Sequence, residues 1–364
     1  MTKHLFRYII TSMKRNTTLF LFELVMAVLL VLVHMSVKDD YYVLVRALGR
    51  STVLFFFMVS GFFFYKKHQN DSLEDMYLDV LKRVARLLLF AGIVLTLTLL
   101  FDFGVKMKFD TSLVEPYLKE HFNSENVFRF FVFNNVTIAG HLWFIFALIY
   151  AYLLLPLFIK PFKITKGHPF FIGAVATLTL IYAYTYFKYQ TNYIDERSIF
   201  FNLIFTRNWF FQAIPCLLIG SYLSIHEEVV VQKISSIKKW IIILILVAFQ
   251  ALIIGEAALL LVYDQVLLEF YLFGIPLCMG LIAFSLACPN NKAGEFLLKH
   301  IGSKCPTIIY LFHLLFISIF TMLFSEVMGI EKYMFFPILL CTLVSVISIS
   351  FIVNLVNQKR SKVE

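Results

Sequence analysis

Apolar runs about as long as a bilayer is thick recur from one end of this chain to the other, and they restrict its fold more than any other feature. A spanning helix needs about 20 such residues. On that criterion ten spans are predicted, near 18–36, 43–65, 85–103, 142–159, 170–187, 207–225, 240–262, 267–288, 306–324 and 333–356. In hydrocarbon the backbone must satisfy its own polar groups, and single runs of this kind do so as helices. The expected fold class is therefore all-α, a polytopic membrane helix bundle of about ten transmembrane helices. Composition supports the point that matters here: 60% hydrophobic and 15% charged residues leave too little polar surface for a soluble domain of 364 residues.

The connecting segments sort by charge. The N-terminus carries Lys3, Arg7, Lys14 and Arg15. Alternate loops carry Lys66, Lys67, Lys82, Arg83 and Arg86, then Lys160, Lys163 and Lys166, then Lys233, Lys238 and Lys239, then Lys292, Lys299 and Lys304. The tail carries Lys359, Arg360 and Lys362. With ten spans all of these fall on one side, which places both termini in the cytoplasm. The opposite side holds the larger share of acids, among them Asp39, Asp40, Asp110, Glu115, Glu120, Asp195 and Glu196. The net charge of +9 is accounted for by these loops and by anionic lipid, not by nucleic acid. The basic start is followed by no small-residue cleavage site, so no cleavable signal peptide is expected.

One domain, 1–364, is expected, with a cytoplasmic N-terminus at 1–17 and a cytoplasmic tail at 357–364. Two connections exceed a tight turn. Segment 66–84 has Leu73, Met76, Tyr77 and Val80 at helical spacing, which suits an amphipathic helix on the inner leaflet. Segment 105–141 is long for an outer loop, and a short helix over the mouth of the bundle is expected there. The five Cys include no CxxC, so neither a disulfide framework nor a zinc site is expected.

The chemistry-bearing residues lie at helix ends and inside spans. His34 ends the first span, and imidazole is the side chain suited to proton transfer near neutral pH. Arg50 stands at the outer start of the second span, where a charge faces a wet cavity, a partner or the headgroups. Ser60-Gly61 interrupts a bulky helix and permits close approach of another helix or of a ligand. Arg83 and Arg86, three apart at the cytoplasmic surface, suit a phosphate-rich ligand as well as topology. His141 and Trp143 open the fourth span, Arg207-Asn208-Trp209 opens the sixth, and Tyr310 and His313 fall inside the ninth. Glu23 and Glu256 also fall within spans and need partners there.

Taken in order, these segments resemble the acyltransferase-3 family of integral membrane acyltransferases. LLVLVH ends the first helix. GRSTVLFFFMVSGFFF is similar to the family's R…VPLFFxxSGY helix, RVAR to its cytoplasmic RxxR, and HLWFIFALIYAYLLLP to its HLWFL…Y…P segment. RNWFFQAIPCLLIG follows, and IYLFH is similar to its YLxH. The resemblance covers nearly the whole chain. Two departures stand out: Glu23 occupies a position that is usually Arg or Lys, and Leu87 follows RVAR where the family has proline.

The resemblance implies the stand-alone form, without a fused esterase-like domain. It implies passage of an acyl group, most often acetyl, from cytoplasmic acyl-CoA to a hydroxyl of a cell-surface polysaccharide or its lipid-linked precursor. Acetyl-CoA is the implied donor, with succinyl-CoA open, and the setting is the plasma membrane of a bacterial cell. His34 and Arg50 would be catalytic. Arg83, Arg86, Ser60 and Gly61 would hold the coenzyme, and His141, Trp143, Tyr310 and His313 the acceptor. No metal is required, and a homo-oligomer is compatible with the implied fold. Two other functions fit the same residues: a transporter of lipid-linked glycan or small molecules, and a catalytically silent scaffold in a polysaccharide synthesis complex. The Glu23 departure keeps the scaffold in view.

Overall fold

The computed structural model describes residues 16–35, 40–109, 112, 114–190, 206–262, 268, 271–324 and 335–363. The cations Lys3, Arg7, Lys14 and Arg15 and the acids Asp39, Asp110, Asp195 and Glu196 lie outside them, as do the side chains of Asp40, Lys359, Arg360 and Lys362. Among the described residues every regular element is a helix. Eight are long and apolar enough to cross a membrane, and ten spans result if two sharply bent pairs each count as one.

The helices are α1 (Thr17–His34), α2 (Asp40–Gly49), α3 (Thr52–His68), α4 (Leu73–Phe109), α5 (Val114–His121), α6 (Ser124–Phe133), α7 (Trp143–Ile164) and α8 (His168–Gln190). After them come α9 (Ile214–Ile225), α10 (Glu227–Ser235), α11 (Lys239–Val262), α12 (Gly274–Ala287), α13 (Lys292–Ile301), α14 (Cys305–Met322) and α15 (Phe335–Val363). The two bends fall where the sequence forbids a straight span. Glu227, Glu228 and Lys233 of α10 cannot continue into hydrocarbon, and the chain turns by 73° before them. Pro289 and two asparagines end α12, and α13 leaves at 94°. The Asn291 side chain caps α13 by accepting from the Gly294 N–H at 3.0 Å. The sixth and eighth expected spans are thus the apolar arms of bent pairs.

The apolar spans divide into a centre and a rim. The span containing α3 is 67% buried and the one containing α7 is 72% buried, whereas that of α4 is 11% buried. The outward side chains of α4, such as Leu88, Leu89 and Leu100, face lipid. Helix α3 is central because two glycines let α9 lie against its backbone. A Cβ on Gly61 would sit 2.0 Å from the Leu217 carbonyl oxygen, and one on Gly220 would sit 1.8 Å from that of Met58. The Ser221 hydroxyl completes the seam by donating to the Gly61 carbonyl at 3.2 Å. Without a hydrophobic drive between helices in lipid, this kind of backbone proximity supplies the association energy.

Segment 66–84 differs from the surface helix expected of it. It is divided between the end of α3 and the first turns of α4, which runs from Leu73 to Phe109 without interruption. No proline breaks that stretch, so its polar start and apolar remainder form one helix. The outer segment folds into α5 and α6. Tyr117 of α5 donates to Asp102 of α4 at 2.7 Å. Burial, then the Asp102 carboxylate, push the Tyr117 hydroxyl well above the usual tyrosine range.

Candidate active site

Three histidines from three helices meet inside the bundle. His34 closes α1, whose last residue before extended backbone it is. Its ring centroid lies 5.1 Å from that of His313 on α14. His141 sits on a 3-10 turn, Gly140–Leu142, leading into α7, and its ring is 5.2 Å from His313. His141 and His313 are buried, His34 half-buried. The turn is locked to α14 twice: the Tyr310 hydroxyl donates to the His141 carbonyl, and His141 Nε2 lies 3.1 Å from the Leu311 carbonyl.

Arg50 belongs to the same end of the bundle. It follows Gly49, where an added Cβ would lie 2.4 Å from Val33 and 2.6 Å from the Leu29 carbonyl. That glycine allows the turn carrying Arg50 to press against the last turns of the helix carrying His34. Arg50 is half-buried there.

Trp143 follows the His141 turn as the first residue of α7. It stacks edge-on against Phe57 of α3, 6.1 Å between centroids, and the Arg207 guanidinium lies over its indole at 5.2 Å. Both sides of this arrangement hang on Asn134. Its amide donates to the Trp143 carbonyl at 2.9 Å and accepts from the Trp209 N–H at 2.9 Å. Asn134 is fully buried and adopts a left-handed conformation, φ 51°, which asparagine tolerates better than most residues. Asn208 then caps the π-helical turn Trp209–Ala213 by accepting from Phe210 and Phe211.

A second cluster lies toward the basic face. Arg83 Nε donates to Asp79 at 2.6 Å, and its guanidinium lies over the rings of Phe64 and Tyr152 at 5.9 and 5.8 Å. Ser60 and Arg83 both lie near the Tyr152 hydroxyl. Asp79 also binds Lys67 at 2.5 Å and the buried His68 at 3.0 Å. Lys66 pairs with Glu227 and Lys163 with Asn70, which ties the end of α3 to α10 and α7.

The two clusters share helices. Val94 of α4 packs in one apolar group with Leu142, Tyr310 and Leu311, and Arg83 lies one residue before Val84 at its edge. Along α4 the distance from Arg83 to Val94 is about 16 Å, and along α7 from Trp143 to Tyr152 about 14 Å. Between them runs an aromatic column: Phe57 against Phe144 at 4.3 Å and Phe64 against Tyr152 at 5.5 Å, with Ser60 between Phe57 and Phe64 on α3.

The expected site residues thus fall into groups. His34, His141, Tyr310 and His313 converge, with Trp143 beside them and Arg50 on the adjoining turn. Arg83 and Ser60 converge on Tyr152. Arg86 does not join them: it is exposed, with Nε donating to the Lys82 carbonyl at 3.2 Å. Gly61 offers no room to a ligand, because the Leu217 backbone occupies the space in front of it. Its role is helix contact. Arg207, noted in the sequence at the start of a span, joins the site. Asn134, Tyr152 and Asp79 complete it without having been selected from sequence, and nothing in FNNVTIAGH distinguishes Asn134 from its neighbour. No group of three or more His, Cys, Asp or Glu among the described residues is disposed to hold a metal ion.

The sequence model of the acyltransferase-3 family, described as an acyltransferase domain, matches residues 19–355. No curated protein and no solved structure matches the chain.

Proposed function

The chain belongs to the acyltransferase-3 family and is a multi-pass membrane acyltransferase, and from that premise we propose that it carries an acyl group, most often acetyl, from cytoplasmic acyl-CoA to a hydroxyl of a surface polysaccharide or its lipid-linked precursor. The observation that carries this reading is the pair of clusters on shared helices, a cationic one at the basic face and a histidine one deeper in. An extended thioester arm is the right shape to join them. The membrane is the plasma membrane, with the basic face cytoplasmic by the positive-inside rule.

On this reading Arg83 meets the coenzyme's phosphates, and Tyr152 and Ser60 meet the arm as it enters. The aromatic column from Phe64 to Phe57 keeps water from the thioester. His34 takes the proton of the acceptor hydroxyl as its oxygen attacks the thioester carbonyl. A carbon–oxygen bond forms, the carbon–sulfur bond breaks, and the proton passes to the departing sulfur to give free coenzyme A thiol. Arg50 orients His34 or stabilises the negative charge that develops on the carbonyl oxygen. Trp143, with Arg207 over one face of the indole, presents an aromatic surface of the kind sugar rings stack upon. The acids expected on the opposite face of the bundle surround the side from which such an acceptor approaches.

The test is binding of acetyl-CoA to the purified protein, with release of free thiol followed over hours. Binding with slow thiol release supports the reading, as does its weakening in Arg83→Ala. A protein that binds neither acetyl-CoA nor succinyl-CoA is a transporter or a scaffold.

A further inference from the structure

Helix α13 is clamped through its backbone at both ends and leaves one face free. At its start, a Cβ on Gly294 would sit 2.1 Å from the Thr17 carbonyl oxygen, and the Asn291 N–H donates to the Thr17 hydroxyl at 2.7 Å. At its end, the Asn354 amide donates to the Lys299 and His300 carbonyls, each at 3.1 Å, and the Ser350 hydroxyl to that of Ile301 at 2.7 Å. Thr17 opens the span of α1, and Asn354 lies close to the end of the apolar stretch Phe336–Val356 of α15. The helix therefore runs where both spans reach the basic face, and its 94° turn from the spanning arm α12 lays it along the membrane surface. Phe351, Ile352, Leu355 and Val356, around the Asn354 anchor on α15, include exposed side chains, so this edge of the bundle faces lipid.

Gly294, Leu297 and Ile301 of α13 turn inward, buried or half-buried. Lys292, Phe296, Lys299 and His300 are exposed, with Glu295 the one acid on the helix. Residues three and four apart share a helix face, so Lys292, Phe296 and Lys299 form one outward row. Phe296 is 62% exposed in the middle of it. The His300 ring lies against Phe296, 4.2 Å between centroids, and its Nδ1 donates to the Phe296 carbonyl at 2.7 Å. Lys304 is exposed just past the helix. Lys66, Lys67 and Arg83 each meet a carboxylate, whereas Lys292, Lys299 and Lys304 form no ion pair among the described residues. Topology alone accounts for cations on this face, but not for an exposed phenylalanine set between unpaired ones. The other bent arm, α10, starts with Glu227 and Glu228 and has no aromatic residue.

We propose that the outward face of α13 is a binding site for anionic phospholipid in the leaflet at the basic face. Lys292 and Lys299, joined by Lys304, meet the headgroup phosphates, and Phe296 enters the boundary between headgroups and acyl chains. A helix with cations around one large apolar side chain is suited to that boundary and to no free phosphate, which gives Phe296 nothing to contact. Lipid held there also braces the start of α1, because the same linker takes the Thr17 N–H on the Pro289 carbonyl at 2.9 Å and the Thr18 hydroxyl on that of Cys288. This site is independent of acyl transfer, and its failure would leave the proposed reaction untouched.

Purified full-length protein in detergent is titrated with phosphatidylglycerol or phosphatidylcholine, and bound lipid is read by native mass spectrometry. Wild type is expected to prefer phosphatidylglycerol. The double variant Lys292→Gln with Lys299→Gln is expected to bind it roughly thirtyfold more weakly, about fivefold for each lysine. Phe296→Ala is expected to lose about tenfold through its acyl contact. Lys233→Gln on α10 is the control and should change affinity less than about twofold. Equal affinity for the two lipids in wild type, or unchanged affinity in the double variant, overturns the site. So does inorganic phosphate that displaces the lipid, or a Phe296→Ala variant equal to wild type, since either result makes this a site for free phosphate. Amide hydrogen exchange of the wild type needs no variant: peptides covering 292–301 are expected to slow with phosphatidylglycerol and not with phosphatidylcholine. No slowing there overturns the site as well.

Discussion

The side-chain amide of Asn134 joins Trp143 to Trp209, donating to the carbonyl of one and accepting from the backbone N–H of the other, each at 2.9 Å. One buried residue in left-handed backbone thereby sets the spacing between the start of α7 and the turn that carries Arg207. Asn134→Ala removes both hydrogen bonds and places a Cβ-bearing, non-capping residue in that backbone. The expected cost is about 2 kcal/mol, from one stranded N–H and the conformational penalty. It is read as a lower thermal midpoint in detergent. Asn134→Gly relieves only the backbone part, so it is expected to remain less stable than wild type. A glycine variant equal to wild type would show that the side chain does not hold the turn.

The seam between α3 and α9 depends on glycine at two places. Gly220→Ala drives a Cβ into the Met58 carbonyl, and Gly61→Ala does the same at Leu217. Each is expected to cost about 3 kcal/mol, because backbone on both sides leaves nothing soft to move. The measurement is the yield and thermal midpoint of monodisperse protein. Gly104→Ala is the control: no atom lies within 4 Å of its added Cβ, and helix propensity favours the change.

Much of this architecture was legible from sequence, and the reasons for the rest are physical. Among the described residues the apolar runs locate every candidate span, because length and hydropathy are properties of the chain alone. They do not show that Trp209–Ile225 and Gly274–Ala287 are arms of bent pairs, which depends on the charged and proline-containing residues that follow. His34, His141, Tyr310 and His313 could each be singled out as polar groups in or at the end of a span. That they converge is a matter of helix rotation and tilt, set by packing. Gly61 misleads for the same reason: a small residue opens space, and only the fold shows that Leu217 fills it. Arg83 and Arg86 look equivalent as RVAR, yet one turns over Tyr152 and the other lies exposed.

That asymmetry predicts unequal consequences. Arg83→Ala is expected to weaken coenzyme A binding roughly tenfold to a hundredfold, since a hydrogen bond to a charged group is worth ~1.5–3 kcal/mol. Arg86→Ala is expected to change it less than about threefold, in keeping with an exposed charge. Arg83→Lys keeps the charge but loses the planar stacking over Phe64 and Tyr152, and it should fall between wild type and Arg83→Ala. Titration calorimetry with coenzyme A in detergent measures all three. Equal losses at both positions would contradict an inward Arg83.

Away from the site, Tyr182 of α8 donates to Glu256 of α11 at 2.6 Å. This is a polar contact between helices at membrane depth. Tyr182→Phe leaves the carboxyl oxygen without its donor and is expected to destabilise by ~1–3 kcal/mol. The double variant Tyr182→Phe with Glu256→Leu removes both partners and is expected to regain most of that loss. Thermal midpoints of the two single variants and the double close the cycle. Additive losses would show that the contact contributes nothing.

The central claim is a transacylase with His34 at its chemical centre, and transfer of radiolabelled acetyl from acetyl-CoA to surface glycan tests it most directly. Membranes carrying wild type and His34→Ala at equal levels of folded protein are compared. The account predicts label in the glycan with wild type and its loss, by about a hundredfold or more, in His34→Ala. Equal labelling by the two would contradict it.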